Sequence, residues 1–358
     1  MNTYLSETQK PTRDDIIGNP PGILKEISDY LQLKSFGLMR EHAIAAALSL
    51  VASVLGRRYC NEDGQQTNLY LLSVGPDATG KRCSMRTVEE ILENSGLEFL
   101  LTGELADQEA LIARVSERKN LLLQFNALST LMTMLAIDNL DRRDIGLINN
   151  LTELFDTAAS RFYLPDHGVE QDINASVDHP CVNVHIALTA EGLFVVLASS
   201  SIVERFLNRF LIVPNWASGI ADKFASEIEV PESIQRWIHS VVGDHPEADV
   251  GNGATNAYTP TKVMKTQEAE VLFKQFERKI DKHRQSGKDF PWGRAREHAE
   301  KIAMIAACAD NLSQPSIAEQ NARWAIGFVR YCVELLDSQR AFESSHSSIT
   351  GLGSHITH

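Results

Sequence analysis

Long apolar runs are missing. The most hydrophobic stretch, Ala43 to Leu55, is too short to cross a bilayer and reads as a buried helix. The start, MNTYLSETQKPTRDD, is polar and lacks the apolar segment of a secretory signal. Cysteine is sparse: five residues, at 60, 83, 181, 308 and 332, with no C-x-x-C pair. The odd count and wide scatter argue against a disulfide framework or a zinc site, and free thiols in a reducing cytoplasm are expected. The chain also lacks the basic balance of a protein that coats nucleic acid, with a formal net charge of -13. No two histidines have the spacing of a helical zinc pair, there is no G-x-S-x-G elbow, and no internal repeat is found. No metal site is expected from these residues.

What is present is ordinary for a globular protein, 43% hydrophobic and 23% charged over 358 residues. The most informative stretch is Asn68 to Ser84, NLYLLSVGPDATGKRCS. The apolar run Leu69 to Val74 predicts a strand, Gly75 to Lys81 a tight loop, and Ser84 to Glu93 a helix. Strand, glycine loop and helix are the context in which G-x-x-x-x-G-K holds phosphate. Gly75 and Gly80 permit the turns. The backbone from Pro76 to Arg82, through Asp77, Ala78, Thr79 and Gly80, supplies N–H groups, with Cys83 beyond it. Lys81 adds a mobile cation for the β- and γ-phosphates. The following position should carry a Ser or Thr hydroxyl for Mg²⁺, and here it is Arg82, whose guanidinium has no lone pair for a metal. A simple turn with a solvated Lys81 is the plainer reading.

A second strand, beside the first, should end in an acid that serves the metal and the attacking water. Leu121 to Asn126 is favoured, with Asn126 as a neutral stand-in. The alternative is Met134 to Asp138, although Leu128 to Ile137 also fits a helix. Thr189, after the β-rich run Cys181 to Leu188, fits a polar sensor or a plain helix N-cap. Arg205 and Arg209 stand four apart, and Arg209 is the candidate to reach a neighbouring subunit's nucleotide; a salt-bridged helix face is the rival reading.

Strands alternating with helices predict an α/β protein with a mostly parallel sheet. Residues 1–20 read as a loose arm and 21–245 as the α/β domain with N-terminal helices. Residues 246–262 read as a linker, 263–340 as an all-helical C-terminal part, and 341–358 as an unstructured tail. From Lys262 to Lys301 there are eleven Lys/Arg against seven Asp/Glu, a locally basic stretch suited to DNA.

The order of short motifs resembles the P-loop ATPase module of phage, prophage and plasmid replication proteins of the primase–helicase type. Pro20-Pro21-Gly22-Ile23-Leu24, Gly56-Arg57-Arg58-Tyr59 and Thr67-Asn68-Leu69-Tyr70 lead into the glycine loop. Leu207-Asn208-Arg209-Phe210-Leu211, Trp292-Gly293-Arg294-Ala295 and Lys301-Ile302-Ala303 follow it. The likeness covers roughly residues 20–340. It implies a P-loop NTPase core of RecA- or AAA-like type, a helical C-terminal part, ATP as ligand, ring assembly, other replication proteins as partners, and work on DNA. In that family the loop ends Gly-Lys-Ser and the second strand ends Asp-Glu, whereas this chain has Lys81-Arg82 and Phe125-Asn126. These departures argue against Mg²⁺ and against hydrolysis, leaving a weak or slow ATP site. An inactive ATPase-fold scaffold and a DNA-binding module built on the basic tail are the alternatives. The likeness carries no priming domain into this chain.

Overall fold

A computed structural model describes residues 13–35, 37–77, 79–102, 105, 107–125, 142–164, 176–197, 201–217, 228–243, 258–287 and 289–352. The N-terminal part is helical: α1 (Arg13–Gly18), α2 (Ile23–Lys34) and α3 (Arg40–Leu55). Strand β1 (Tyr59–Asn61) and then β2 (Tyr70–Val74) lead to α4 (Lys81–Asn94). The short β3 (Leu101–Thr102), α5 (Gln108–Glu117), β4 (Asn120–Phe125) and α6 (Arg142–Asp156) follow. Next come β5 (Arg161–Tyr163), β6 (Ser176–Asp178), β7 (Cys181–Leu188), α7 (Ala190–Leu197), α8 (Ser201–Leu207) and β8 (Phe210–Pro214). The C-terminal part holds α9 (Glu232–Val242), β9 (Thr261–Lys265), α10 (Gln267–Gln285), α11 (Ala295–Asp310), β10 (Ser316–Ile317) and α12 (Glu319–Leu352).

The central sheet has five strands in the order β3-β4-β7-β2-β8, and every pairing in it is parallel. The chain is therefore α/β with a mostly parallel sheet. The favoured second strand, β4, does not lie directly against β2; β7 stands between them. The expectation that these two strands are neighbours is corrected accordingly. Since all five strands run the same way, their carboxyl ends share one edge, and the glycine loop leaves from that edge.

Side-chain alternation sorts each strand between two cores. Tyr70, Leu72 and Val74 face α5 to α8, together with Leu121, Leu123, Phe125, Val182, Val184 and Ile186. Leu69, Leu71, Leu122, Leu211 and Val213 face the other way, against α2, α3, α4 and the C-terminal helices. On that second face β7 presents small and polar residues, Cys181, Asn183, His185 and Ala187, all buried. Opposite lies α3, whose residues 41–55 are buried all round and are rich in alanine. Small side chains let this helix lie close to the sheet. The polar groups beneath it are bonded: Asn183 Oδ1 accepts from the Leu69 amide at 2.8 Å, and His185 Nε2 lies 2.9 Å from Ser73 Oγ.

Four expectations about the ends of the chain change. Residues 13–18 of the supposed arm form a helix, with Ile16 and Ile17 buried and the Ile16 carbonyl accepting from Trp324 Nε1 at 2.8 Å. The end of the supposed linker is β9, which pairs in parallel with both β1 and β10, so the C-terminal part is not all-helical. Helices α10 to α12 share one hydrophobic core with α2 and α3 and do not stand apart. Helix α12 continues to Leu352, through much of the supposed tail.

Candidate functional site

The glycine loop joins the central strand β2 to α4. Gly75 fits here because it has no side chain: a Cβ would lie 2.8 Å from both the Asn215 carbonyl oxygen and His42 Cε1. Its amide donates to the Leu188 carbonyl at 3.2 Å, tying the loop to the tip of β7. On the other side the Asn215 amide donates to the Val74 carbonyl at 2.8 Å. Gly80 ends the loop with φ +70°, a left-handed conformation that favours glycine.

Helix α4 then starts at Lys81, three residues earlier than the sequence reading placed it. Its first main-chain bond runs from the Ser84 amide to the Gly80 carbonyl, 2.9 Å. The amides of Lys81, Arg82 and Cys83 consequently have no acceptor inside the helix, and no side chain caps its start. The helix has no acid in its first turn. Donors and dipole there favour an anion.

Lys81 is curled back into the loop and is only 8% exposed. Its ammonium donates to the Gly75 carbonyl (2.8 Å), the Pro76 carbonyl (2.6 Å) and Thr79 Oγ1 (3.1 Å). Thr79 Oγ1 in turn donates to the Pro76 carbonyl at 2.8 Å. Burial pulls the Lys81 ammonium down to about 8, partly offset by the charge of the exposed Asp77. Among the described residues no carboxylate is bonded to the ammonium, which is held by two loop carbonyls and the Thr79 hydroxyl.

The structure brings Gly75, Asp77, Thr79, Gly80, Lys81, Arg82 and Cys83 together as one loop and helix start. Arg82 is exposed, and the Cys83 thiol approaches the Lys34 carbonyl. Ala78 and Asn126 lie outside the described residues, as does the alternative acid Asp138; β4 ends at Phe125. Thr189 follows the tip of β7, and its hydroxyl accepts from the Gly192 amide at 3.1 Å, so it caps α7. Arg209 is not brought to the loop. It precedes β8 at the opposite edge of the sheet, roughly 13 Å of strand away. There it donates to Asp156 Oδ2 at 2.6 Å, while Arg294 donates to the other Asp156 oxygen at 2.8 Å. The ion-paired reading of Arg209 fits this placement.

Four side chains beneath the loop escaped the sequence reading. His42 Nε2 donates to the Val74 carbonyl at 3.0 Å, and burial together with the Lys81 charge pushes its imidazole down to about 4. His185 is pushed down to about 3 by burial first and by His42 second. Asn215 and Glu41, both buried, are bonded to one another at 2.7 Å. Glu41 and His42 could have been noticed as a polar pair opening an otherwise apolar helix.

The Mg²⁺ that the family likeness implies does not fit the donor set. Arg82 offers no lone pair at the hydroxyl position, and Asn126 follows β4 where an acid would stand. Among the described residues no group of three His, Cys, Asp or Glu could hold a metal ion. The basic stretch is also less free than its count suggests. Lys265, Lys274, Arg284, Arg294, Arg296 and Lys301 all sit in ion pairs within the chain.

The fold and this loop define an α/β protein with a parallel central sheet and a glycine-rich turn at its carboxyl edge. No protein-family model matches the chain, and no curated protein matches it. Among the described residues, no helix is long and apolar enough to cross a membrane.

Proposed function

We propose that the chain is a replication-associated, helicase-like P-loop protein of a mobile element. It binds a nucleotide at residues 75–83, weakly or with little turnover, and acts on DNA within an oligomer. The observation that carries the nucleotide part is the buried Lys81 ammonium, cradled by loop carbonyls at the uncapped start of α4. The loop's place in the sheet supports the same reading. The glycine loop leaves a central strand at the carboxyl edge of a parallel sheet, where open α/β sheets bind their ligands. DNA and ring assembly come from the family likeness alone.

The test is direct titration of the full chain with ADP and ATP, beside Lys81→Ala. Saturable binding that the variant loses supports the reading; no binding to any nucleotide overturns it. Phosphate release that disappears in Lys81→Ala would exclude the inactive scaffold that Arg82 and Asn126 otherwise favour.

A further inference from the structure

Helix α4 begins with an unusual run of charge. Lys81, Arg82 and Arg86 lie in its first two turns, and the first acid on the helix is Glu89. Arg82 and Arg86 are both exposed and stand four apart, so they project from one face beside the helix start. In a Mg²⁺-dependent loop the residue after the lysine helps to bring in a divalent cation, which neutralises phosphate charge. Here that position carries a fixed cation, and the first turn contains no carboxylate.

Resting on the nucleotide reading above, we propose that this loop takes its di- or triphosphate ligand without a divalent metal, with Arg82 supplying the charge that the metal would bring. Guanidinium is suited to this exchange: it is planar, permanently charged, and offers paired N–H donors to phosphate oxygens. Lys81 contributes a second cation, Arg86 a third at longer range, and the amides of the first turn add their dipoles. Among the described residues Asp77 is the carboxylate acting on Lys81, and it is exposed. In a metal-free site its charge opposes the ligand, so removing that charge should favour binding.

The experiment is calorimetric titration of the full chain with ADP and ATP, in EDTA and again in millimolar Mg²⁺. The expected result is a Kd that differs by less than about threefold between the two buffers. Arg82→Ala should weaken binding in EDTA by about tenfold, the scale of one charge-assisted phosphate contact. Arg82→Ser should weaken binding in EDTA but regain it with Mg²⁺. Asp77→Asn removes a negative charge that acts on the loop and should tighten binding in EDTA. Arg82 is exposed, so its variants are expected to fold, and an unchanged urea midpoint checks this. Binding of the unaltered chain that Mg²⁺ tightens about tenfold, or that Asp77→Asn abolishes, would overturn the metal-free assignment and leave the nucleotide reading standing. Binding to no nucleotide in either buffer would remove that reading and this inference with it.

Discussion

Asn215 Nδ2 donates to Glu41 Oε2 at 2.7 Å, with both side chains buried and the two residues 174 positions apart in the chain. The other Glu41 oxygen accepts from the Tyr331 hydroxyl at 2.8 Å. One carboxyl group therefore joins the start of α3, the end of β8 and α12, directly behind the glycine loop. Removing a partner leaves a buried carboxyl short of a donor, which costs more than the bond itself is worth. Asn215→Ala is expected to lower unfolding free energy by about 2–3 kcal/mol and Tyr331→Phe by about 1–2 kcal/mol, read from urea denaturation. A loss under about 0.5 kcal/mol in both would show that the carboxyl is satisfied by other groups.

Gly75 is expected to be the least replaceable residue of the loop. Its Cβ would press on a main-chain oxygen and a buried imidazole, neither of which is the far end of a flexible side chain. Gly75→Ala should cost about 1–3 kcal/mol as an overpacked site and should also displace Lys81's carbonyl partner. Gly80→Ala carries the penalty of a left-handed alanine, about 1–2 kcal/mol. Comparing thermal midpoints and ADP affinity of the two variants checks this, and equal effects would contradict the packing argument.

Arg209→Ala is expected to affect stability and not binding. Its guanidinium is largely buried against Asp156, which also serves Arg294, so the loss should be about 1–2 kcal/mol. Nucleotide affinity should not move, because the residue lies at the far edge of the sheet. A variant that keeps its stability but loses concentration-dependent turnover would instead restore the role across a subunit interface.

The parts of this site that could be read from sequence are those built from neighbouring residues. Leu69 to Val74, Gly75, Gly80 and Lys81 are contiguous, and strand, turn and cation each leave a local signature. Asn215, Glu41 and His42 leave none, because their roles depend on which strand ends and helices meet behind the loop. The same holds for β9: Thr261–Lys265 becomes a strand only through β1 and β10, residues distant on either side. Helix α1 was hidden because two isoleucines in a polar arm gain significance only when α12 covers them. Arg209 also depends on distant residues: its ion pair with Asp156, 53 positions earlier, leaves no local signature.

The buried histidines should make the protein acid-sensitive. His42, His185 and His298 are held neutral, near 4, 3 and 3, each chiefly by burial, against 6.5 for the free side chain. The unfolded chain therefore binds protons that the native state refuses. The stability these groups contribute is fully present above about pH 6.5 and falls as pH drops toward 4. Each adds a slope of up to about 1.4 kcal/mol per pH unit in that window. His298→Leu should flatten the pH dependence of the urea midpoint between pH 6.5 and pH 4 while changing it little at pH 7.5, since neither His298 ring nitrogen has a hydrogen-bond partner. An unchanged pH dependence would assign the acid transition to other groups.

Lys81 should give the site opposite responses to alkali with and without ligand. Its ammonium is depressed to about 8, against 10.5 for a free lysine, by burial in the loop. Between those two values the unfolded chain keeps a proton that the native state has lost, so ligand-free stability gains from this residue as pH rises. Phosphate binds the charged form. Affinity should therefore hold up to about pH 8 and then decline by as much as tenfold per unit until the ligated lysine itself loses its proton. The nucleotide contributes little to this change, because a terminal phosphate has its last ionisation near 6. Titrating ADP from pH 7 to pH 10 tests the point, with Lys81→Arg as the comparison, since a guanidinium stays charged throughout. If Lys81 acts on the phosphates, the decline appears in the parent chain and is absent in the arginine variant. Equal pH profiles in the two would place Lys81 outside the binding contact, as a lysine that only closes its own loop.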